Sequence, residues 1–277
     1  MNPELEKIIW LLNLKYQTDI SVYDRNFLHK ALEKRLILTS CVSAQEYSRY
    51  LSDNVKEAEE FFESLSIIYS EFFRNNLTFS ILEQHILPRL IADKEKTGNT
   101  DIRVWSAGCA EGQEAYSIAI LLNEIFNSSL KHFHYLIFAT DKSLQVLKKA
   151  EKGIFDEIAV KNIPVKFLNK YFTNSNGKYT ITDVIRHHID FSHYNMLNKQ
   201  TLSPPAGIFG NFDLVICSNL LLYYNSEARH FILDKVYGAI AEKGYLVTGE
   251  TEKEIVEKEH IFNTAFLPAP IYQKLIS

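Results

Sequence analysis

Cysteine is scarce and scattered: Cys41, Cys109 and Cys217 stand alone, with no C-x-x-C pair and no histidine spaced to join them. That pattern excludes a disulfide frame and a zinc site and suits a reducing cytoplasm. No run of 18 apolar residues occurs, so no transmembrane helix and no membrane insertion are predicted. The N-terminus lacks the charged, apolar, small-residue layout of a signal peptide, and a soluble, unexported protein is expected. An excess of positive charge is also missing: Lys+Arg 30 against Asp+Glu 34 leaves a formal charge of -4, the wrong balance for a nucleic-acid partner. Neither internal repeats nor low-complexity tracts are present. What remains is a chain of 277 residues, long enough for one large domain or two smaller ones.

Glycine and proline are nearly absent from the first 75 residues, Pro3 being the only proline before Pro88. That favours a compact helical module over a linker. Leu5, Ile8, Ile9, Leu11 and Leu12 fall on one helical face. Val22 to Leu38 reads as a second helix, and Ala44 to Leu51 as a third with Ser43 as N-cap. Val55 to Tyr69 reads as a fourth, with Phe61, Phe62, Leu65 and Ile68 turned inward. The second helix carries Arg25, His29, Lys30, Lys34 and Arg35, which make either a solvated charged face or a docking face for an acidic partner. Ser70-Glu71-Phe72-Phe73-Arg74-Asn75 follows as an aromatic junction. Phe79 to Ile91 is expected to be a helix broken or bent at Pro88, and Asp93 to Thr100 a loop.

The rest of the chain is organised around Ile102 to Ile118. A short apolar strand, Ile102 to Ala107, turns through Gly108 and Gly112 and enters a helix with Ile118, Ala119, Leu121 and Leu122 on its apolar face. Glycines in such a turn admit a ligand close to the backbone. A second strand from Phe133 ends at Asp141, placed to accept hydrogen bonds from a ribose diol. Pyrophosphate binders use G-x-G-x-x-G. Here the glycines are four apart, and Glu111 and Glu114 would repel a pyrophosphate. A ribose without phosphate fits better, S-adenosylmethionine above all, and an NAD-dependent dehydrogenase is disfavoured. An ordinary tight turn in an α/β unit is the alternative.

Leu144 to Glu151 continues as a helix. Gly153 to Thr182 departs from the pattern as a small helical and β-hairpin excursion, turning at Asn174-Ser175-Asn176-Gly177. Ile189 to Phe191 restarts the main sheet and leads to Asn195-Met196-Leu197, and 203–211 is a loop. Phe212 to Cys217 is a buried strand ending at Ser218-Asn219. Ala228 to Ile240 is a helix with Gly244 as stop signal, Gly244 to Gly249 a strand, and Phe262 to Leu275 a closing hairpin. Short apolar strands alternating with helices mean a mostly parallel sheet covered on both faces. Gly108, Asp141, Asn195 and Asn219 then share the rim at the strands' carboxyl ends, where ligands bind. Cys109 and Cys217 fall near it, as small buried residues or as reactive thiols.

With these stretches in view, the chain resembles the chemotaxis-receptor (CheR-type) methyltransferases over nearly its full length. The resemblance rests on Ser70-Glu71-Phe72-Phe73-Arg74, on Val104 to Ser117, on Ala139-Thr140-Asp141, and on Asp213 to Tyr224. It implies an α/β fold: an all-helical domain over 1–75, then a Rossmann-like methyltransferase domain over 76–277. The latter has a mostly parallel sheet, a C-terminal antiparallel hairpin and a small β-subdomain insert at about 152–188. It also implies methyl transfer from S-adenosylmethionine to glutamate side chains of a chemoreceptor, leaving S-adenosylhomocysteine. By motif, Glu114 and Asp141 would bind the cofactor beside Gly108, with Asp141 on the ribose. Ser70 and Arg74 would close over the methionine end, Asn195 and Met196 would lie near the adenine, and Ser218 and Asn219 beside the methionine moiety. Arg74 and Tyr223 would be catalytic. No metal is implied. The partner would be the receptor's cytoplasmic domain, met through the basic helix and the insert.

The sequence departs from the family pattern in three places. Ser70 stands where Thr is frequent, Ile68 where Asn is frequent, and Ser218 where Arg is usual. The last change removes a bidentate partner for a carboxylate and leaves Arg74 as the cation. A glutamate acceptor with a pKa of ~4.3 is already ionised near neutrality, so its methylation needs placement rather than a base. Two other readings remain open: a methyltransferase for a different protein or a small molecule, and a cofactor-binding regulatory module without turnover.

Overall fold

The computed structural model describes residues 3–66, 69–128, 133–207 and 209–275, and the chain separates into two units. One comprises Met1–Ile67 with Leu221–Phe231, the other Ile68–Leu220 with Ile232–Ser277.

In the first unit, α1 (Pro3–Tyr16) buries Leu5, Ile8, Ile9 and Leu12. Helix α2 (Arg25–Thr39) starts on Asp24, whose carboxylate accepts from the backbone N–H of Asn26 and Phe27. Ser43 caps α3 (Ala44–Asp53) by accepting from Glu46 N–H, and Asn54 caps α4 (Val55–Ser64). This last helix stops at Ser64, short of the expected Tyr69, and Ile68 lies outside the described residues.

Arg35 corrects the reading of α2 as a uniformly basic face. Leu28, Ala31, Leu32 and Arg35 form its buried stripe, because they recur at the spacing that repeats one helical face. The Arg35 guanidinium donates to both Glu57 oxygens, at 2.8 and 2.6 Å, and Tyr47 Oη donates to the same carboxylate at 2.6 Å. Arg25, His29, Lys30 and Lys34 remain exposed.

The second unit opens with α5 (Asn76–Ile81), a π turn over Leu82–Ile86, and α6 (Leu87–Thr97). Regular α-helix is interrupted at Pro88, where a break or bend was expected. The helical run continues from Asn76 to Thr97, and the turn just before Pro88 widens so that Leu87 N–H reaches Leu82 O, five residues back. A π turn at that point accommodates the proline's missing donor and bulky ring. The charged run from Asp93 is helical to Thr97 rather than a loop. Lys94 ties it to Asp213 at 2.7 Å, and Gly98, at φ 72°, caps it.

Then follow β1 (Asp101–Ala107), α7 (Gln113–Ser128), β2 (His134–Asp141) and α8 (Leu144–Lys152). The excursion contains β3 (Ile154–Asp156), α9 (Glu157–Val160), α10 (Val165–Tyr171), β4 (Phe172–Ser175), β5 (Lys178–Ile181) and α11 (Asp183–Arg186). Its strands form a separate antiparallel sheet in the order β3-β5-β4. The main sheet resumes with β6 (Ile189–His193), β7 (Phe212–Cys217), α12 (Ser226–Ala239), β8 (Ile240–Thr248), α13 (Lys253–Glu259), β9 (Phe262–Phe266) and β10 (Ile271–Lys274). Gly244 corrects another expectation: the helix ends at Ala239 and β8 already begins at Ile240, so Gly244 lies inside the strand and not at its start. A Cβ there would meet Phe212 O at 2.9 Å, so the neighbouring strand selects glycine.

The main sheet has the order β6-β2-β1-β7-β8-β10-β9. Strands β6 through β8 run parallel, and β10 pairs antiparallel with β8 and β9. All six residues of β7 are buried, as expected of a strand covered on both faces, and its one charged residue, Asp213, is buried with Lys94 as its partner. Successive strands lie to one side of β1 and then, from β7, to the other. That reversal opens a crevice at the carboxyl ends of β1 and β7.

Candidate functional site

At the end of β1 the chain turns back on itself in five residues. Gly108 N–H and Cys109 N–H both donate to Thr140 O, at 2.8 and 2.9 Å, and Gly112 N–H donates to Cys109 O at 2.9 Å. Gly108, Ala110 and Gly112 all have positive φ, at 78°, 47° and 87°. For alanine that conformation is uphill, and Asp141 is what holds it: Oδ2 accepts from Ala110 N–H at 3.1 Å, while Oδ1 accepts from Ser143 N–H at 2.9 Å. Burial pushes the Asp141 carboxyl up, against these two backbone hydrogen bonds. Lys142 N–H adds a third backbone hydrogen bond, and since an ionised carboxylate offers about four acceptor positions, a ligand hydroxyl can still bind. Glu111, expected to repel phosphate, pairs with Lys149 at 2.8 Å.

In the first turn of α7, Glu114 lines a cleft with Arg74, Asn75, Thr78, Ser218 and Asn219, bounded across the sheet by Thr248 to Thr251. Ser106 Oγ donates to Glu114 Oε1 at 2.8 Å. Burial pushes this carboxyl up to about 7, while hydrogen bonds from Ser106 and Ser218 and the Arg74 charge pull the other way. Thr78 Oγ1 is buried with no hydrogen-bond partner. At about 160 Å³ the cleft is smaller than the ~300–1,000 Å³ of a whole small-molecule site. Its size suits one end of an elongated ligand.

Of the residues singled out in the sequence, the structure gathers Arg74, Glu114, Ser218 and Asn219 around this cleft and sets Gly108 and Asp141 together at the neighbouring turn. Ser70 is half-buried just before Arg74 and is not among the described lining residues. Asn195 is exposed beyond β6, its Oδ1 accepting from Leu197 N–H at 3.0 Å, and Met196 is buried beside it. Tyr223 belongs to the helical unit, where its ring packs edge-on against Phe27 at 5.0 Å and its carbonyl accepts from Asp24 N–H at 2.9 Å. Cys109 and Cys217 are buried, which pushes both thiols well up and makes them poor nucleophiles.

Sequence reasoning missed the β8 side of the site. Glu252 is fully buried, and its Oε2 accepts from Asn219 N–H at 2.8 Å and Gly249 N–H at 2.7 Å, stapling the ends of β7 and β8. A Cβ on Gly249 would meet Asn219 Nδ2 at 2.5 Å. The available signal was positional: Glu250 and Glu252 follow the carboxyl end of a strand already recognised. No such signal marked Asn75 or Thr78. Among the described residues, no acidic, cysteine or histidine cluster suits a metal ion, and no helix is long and apolar enough to cross a membrane.

Two family models match the chain: "CheR methyltransferase, SAM binding domain" over residues 69–269 and "CheR methyltransferase, all-alpha domain" over residues 3–66. Chemotaxis protein methyltransferase 2 of Vibrio cholerae is 31% identical over 231 residues, 82% of this chain and 77% of that protein. A chemotaxis protein methyltransferase of Borreliella burgdorferi is 26% identical over 90% of this chain and 87% of its own length. An uncharacterised 104.1 kDa protein of Rhodobacter capsulatus is 30% identical over 98% of this chain, which spans 27% of that protein.

Proposed function

This chain belongs to the CheR methyltransferase family, and on that premise we propose that it methylates glutamate carboxylates of a chemoreceptor, forming methyl esters. Its S-adenosylmethionine-binding domain makes it a methyltransferase that uses this donor and leaves S-adenosylhomocysteine. The observation that carries the assignment of roles is the arrangement along the rim: a carboxylate at the glycine turn, and a half-buried carboxyl and a cation in the adjoining cleft.

The residues fit such a ligand. Asp141 has an acceptor position left for a ribose hydroxyl, and the Glu114 carboxyl, raised by burial, is stabilised as an anion by an ammonium group. Arg74 complements the methionine carboxylate, Ser218 and Asn219 flank it, and the buried Thr78 hydroxyl gains a partner. Ser70 closes over this end, and Asn195 and Met196 border the adenine. When bound, the cofactor supplies an electrophilic methyl group on a sulfonium. The protein's task is then to align the acceptor and exclude water, since a glutamate acceptor is already ionised at neutral pH. Tyr223 positions the acceptor. The helical domain, proposed as residues 1–75, and the methyltransferase domain over 76–277 divide recognition from chemistry. Arg25, His29, Lys30 and Lys34 on α2, with the insert, face the receptor's cytoplasmic domain, and the protein works in the cytoplasm.

Incubation with methyl-labelled S-adenosylmethionine and a receptor cytoplasmic fragment tests this reading. Label on the receptor that alkali releases as methanol supports it. Alkali-stable label favours a second reading, a methyltransferase for another acceptor, which draws on Arg74 being the only cation among the described lining residues. Cofactor binding with no label transferred to any acceptor overturns turnover.

A further inference from the structure

We propose that Asn75 and Glu250 are positioning residues that latch the cleft and hold Arg74 where it meets the carboxylate end of the cofactor. The proposal rests on the reading of Arg74 given above. Asn75 directly follows Arg74 and has a left-handed backbone, φ 62°. Its Oδ1 accepts from Thr78 N–H at 3.3 Å, capping α5, and its Nδ2 donates to Glu250 Oε1 at 2.6 Å. This hydrogen bond joins the start of α5 to the loop after β8, and both side chains line the cleft. Glu250 is itself anchored. Its other oxygen pairs with Lys253 Nζ at 2.5 Å, Lys253 also donates to Pro268 O, and the preceding Gly249 is held by Glu252.

On the other side of Arg74 the chain is fixed by packing. Phe73 N–H donates to Ser117 Oγ at 3.0 Å, its ring stacks on Phe167, and Phe72 packs edge-on against Phe155 and Phe172. Arg74 thus spans an apolar anchor and a polar one, its guanidinium over the Tyr69 ring at 5.1 Å. A left-handed asparagine persists only when its surroundings hold it there. Loss of the Glu250 acceptor lets Asn75 relax, which turns the peptide that carries Arg74. The fault is then felt by ligands with a carboxylate to place, and not by the same nucleoside without one.

The test compares S-adenosylhomocysteine with 5′-methylthioadenosine, which lacks the amino-acid end, by calorimetry on the full chain. Glu250→Ala is expected to bind S-adenosylhomocysteine about tenfold more weakly, the ~1.4 kcal/mol scale of a charge-assisted hydrogen bond, and to bind methylthioadenosine as wild type does. Glu250→Gln keeps an acceptor for Asn75 and is expected to restore most of the loss. Arg74→Ala serves as the reference and shows the same selective loss. If Arg74→Ala leaves S-adenosylhomocysteine binding intact, the role of Arg74 and the latch both fall. If Arg74→Ala is selective while Glu250→Ala keeps the wild-type ratio of affinities, the latch alone is overturned. Equal weakening of both ligands by Glu250→Ala also overturns it, since a merely structural role does not discriminate between them.

Discussion

Glutamine at position 114 keeps the shape of Glu114 and an acceptor for Ser106, but removes the ionisation that burial opposes. The wild-type carboxyl titrates at about 7 in the fold instead of its ordinary 4.5, and each tenfold change in proton affinity is ~1.4 kcal/mol. Ionised Glu114 therefore costs the ligand-free protein roughly 3 kcal/mol. Because the folded carboxyl holds its proton more tightly than the unfolded one, its contribution to stability is complete below pH 4.5 and is lost as pH rises through about 7. Urea unfolding of both proteins without ligand is expected to show the Glu114→Gln advantage growing by roughly 3 kcal/mol between pH 4.5 and pH 8. Ligand binding should mirror this. If an ammonium group pairs with ionised Glu114, wild-type affinity for S-adenosylhomocysteine falls about tenfold from pH 8 to pH 6, with a proton released on binding at the lower pH. The glutamine variant binds weakly at both. A stability difference flat across this range would refute the burial argument, and pH-independent wild-type affinity would refute the ammonium pairing.

Three further outcomes follow from other contacts. Asp141→Ala removes the acceptor for Ala110 and Ser143 N–H as well as the proposed ribose contact, and calorimetry should find S-adenosylhomocysteine binding weaker by about a hundredfold or more. Gly249→Ala forces a methyl group within 2.5 Å of Asn219 Nδ2 and 2.9 Å of Glu252 Oε2, so thermal unfolding should report a loss of ~1–3 kcal/mol. Arg35→Ala leaves the buried Glu57 carboxylate without its cation. A loss of ~3–5 kcal/mol is expected, seen as early melting of the helical unit while the second unit keeps its cofactor affinity.

Much of the site's frame was legible because it is local. The strand before Gly108, the glycine turn, and the carboxyl-end positions of Asp141, Asn195 and Asn219 follow from strand periodicity and one topological rule. The same rule applied to the strand ending at Gly249 would have marked Glu250 and Glu252. Errors arose where a local signal had two meanings. The charged run after Pro88 looked like a loop although Lys94 had a buried partner in Asp213. Gly244 resembled a helix stop, yet the carbonyl of Phe212 explains it. Arg35 counted as surface charge because its partner, Glu57, lies on a different helix.

The helical module, the alternation of strands and helices, the glycine turn and the acidic residue that closes it are all written in local residue patterns. Helix and strand periods, caps and turns act over a few residues, so they are written in the order of the chain. Packing alone desolvates Glu114 enough to raise its carboxyl toward neutrality, brings Glu252 to the ends of β7 and β8, and lets Asn75 meet Glu250 from 175 positions away. Burial and hydrogen bonding between distant segments depend on which surfaces the packed sheet brings together, and no local pattern encodes that meeting.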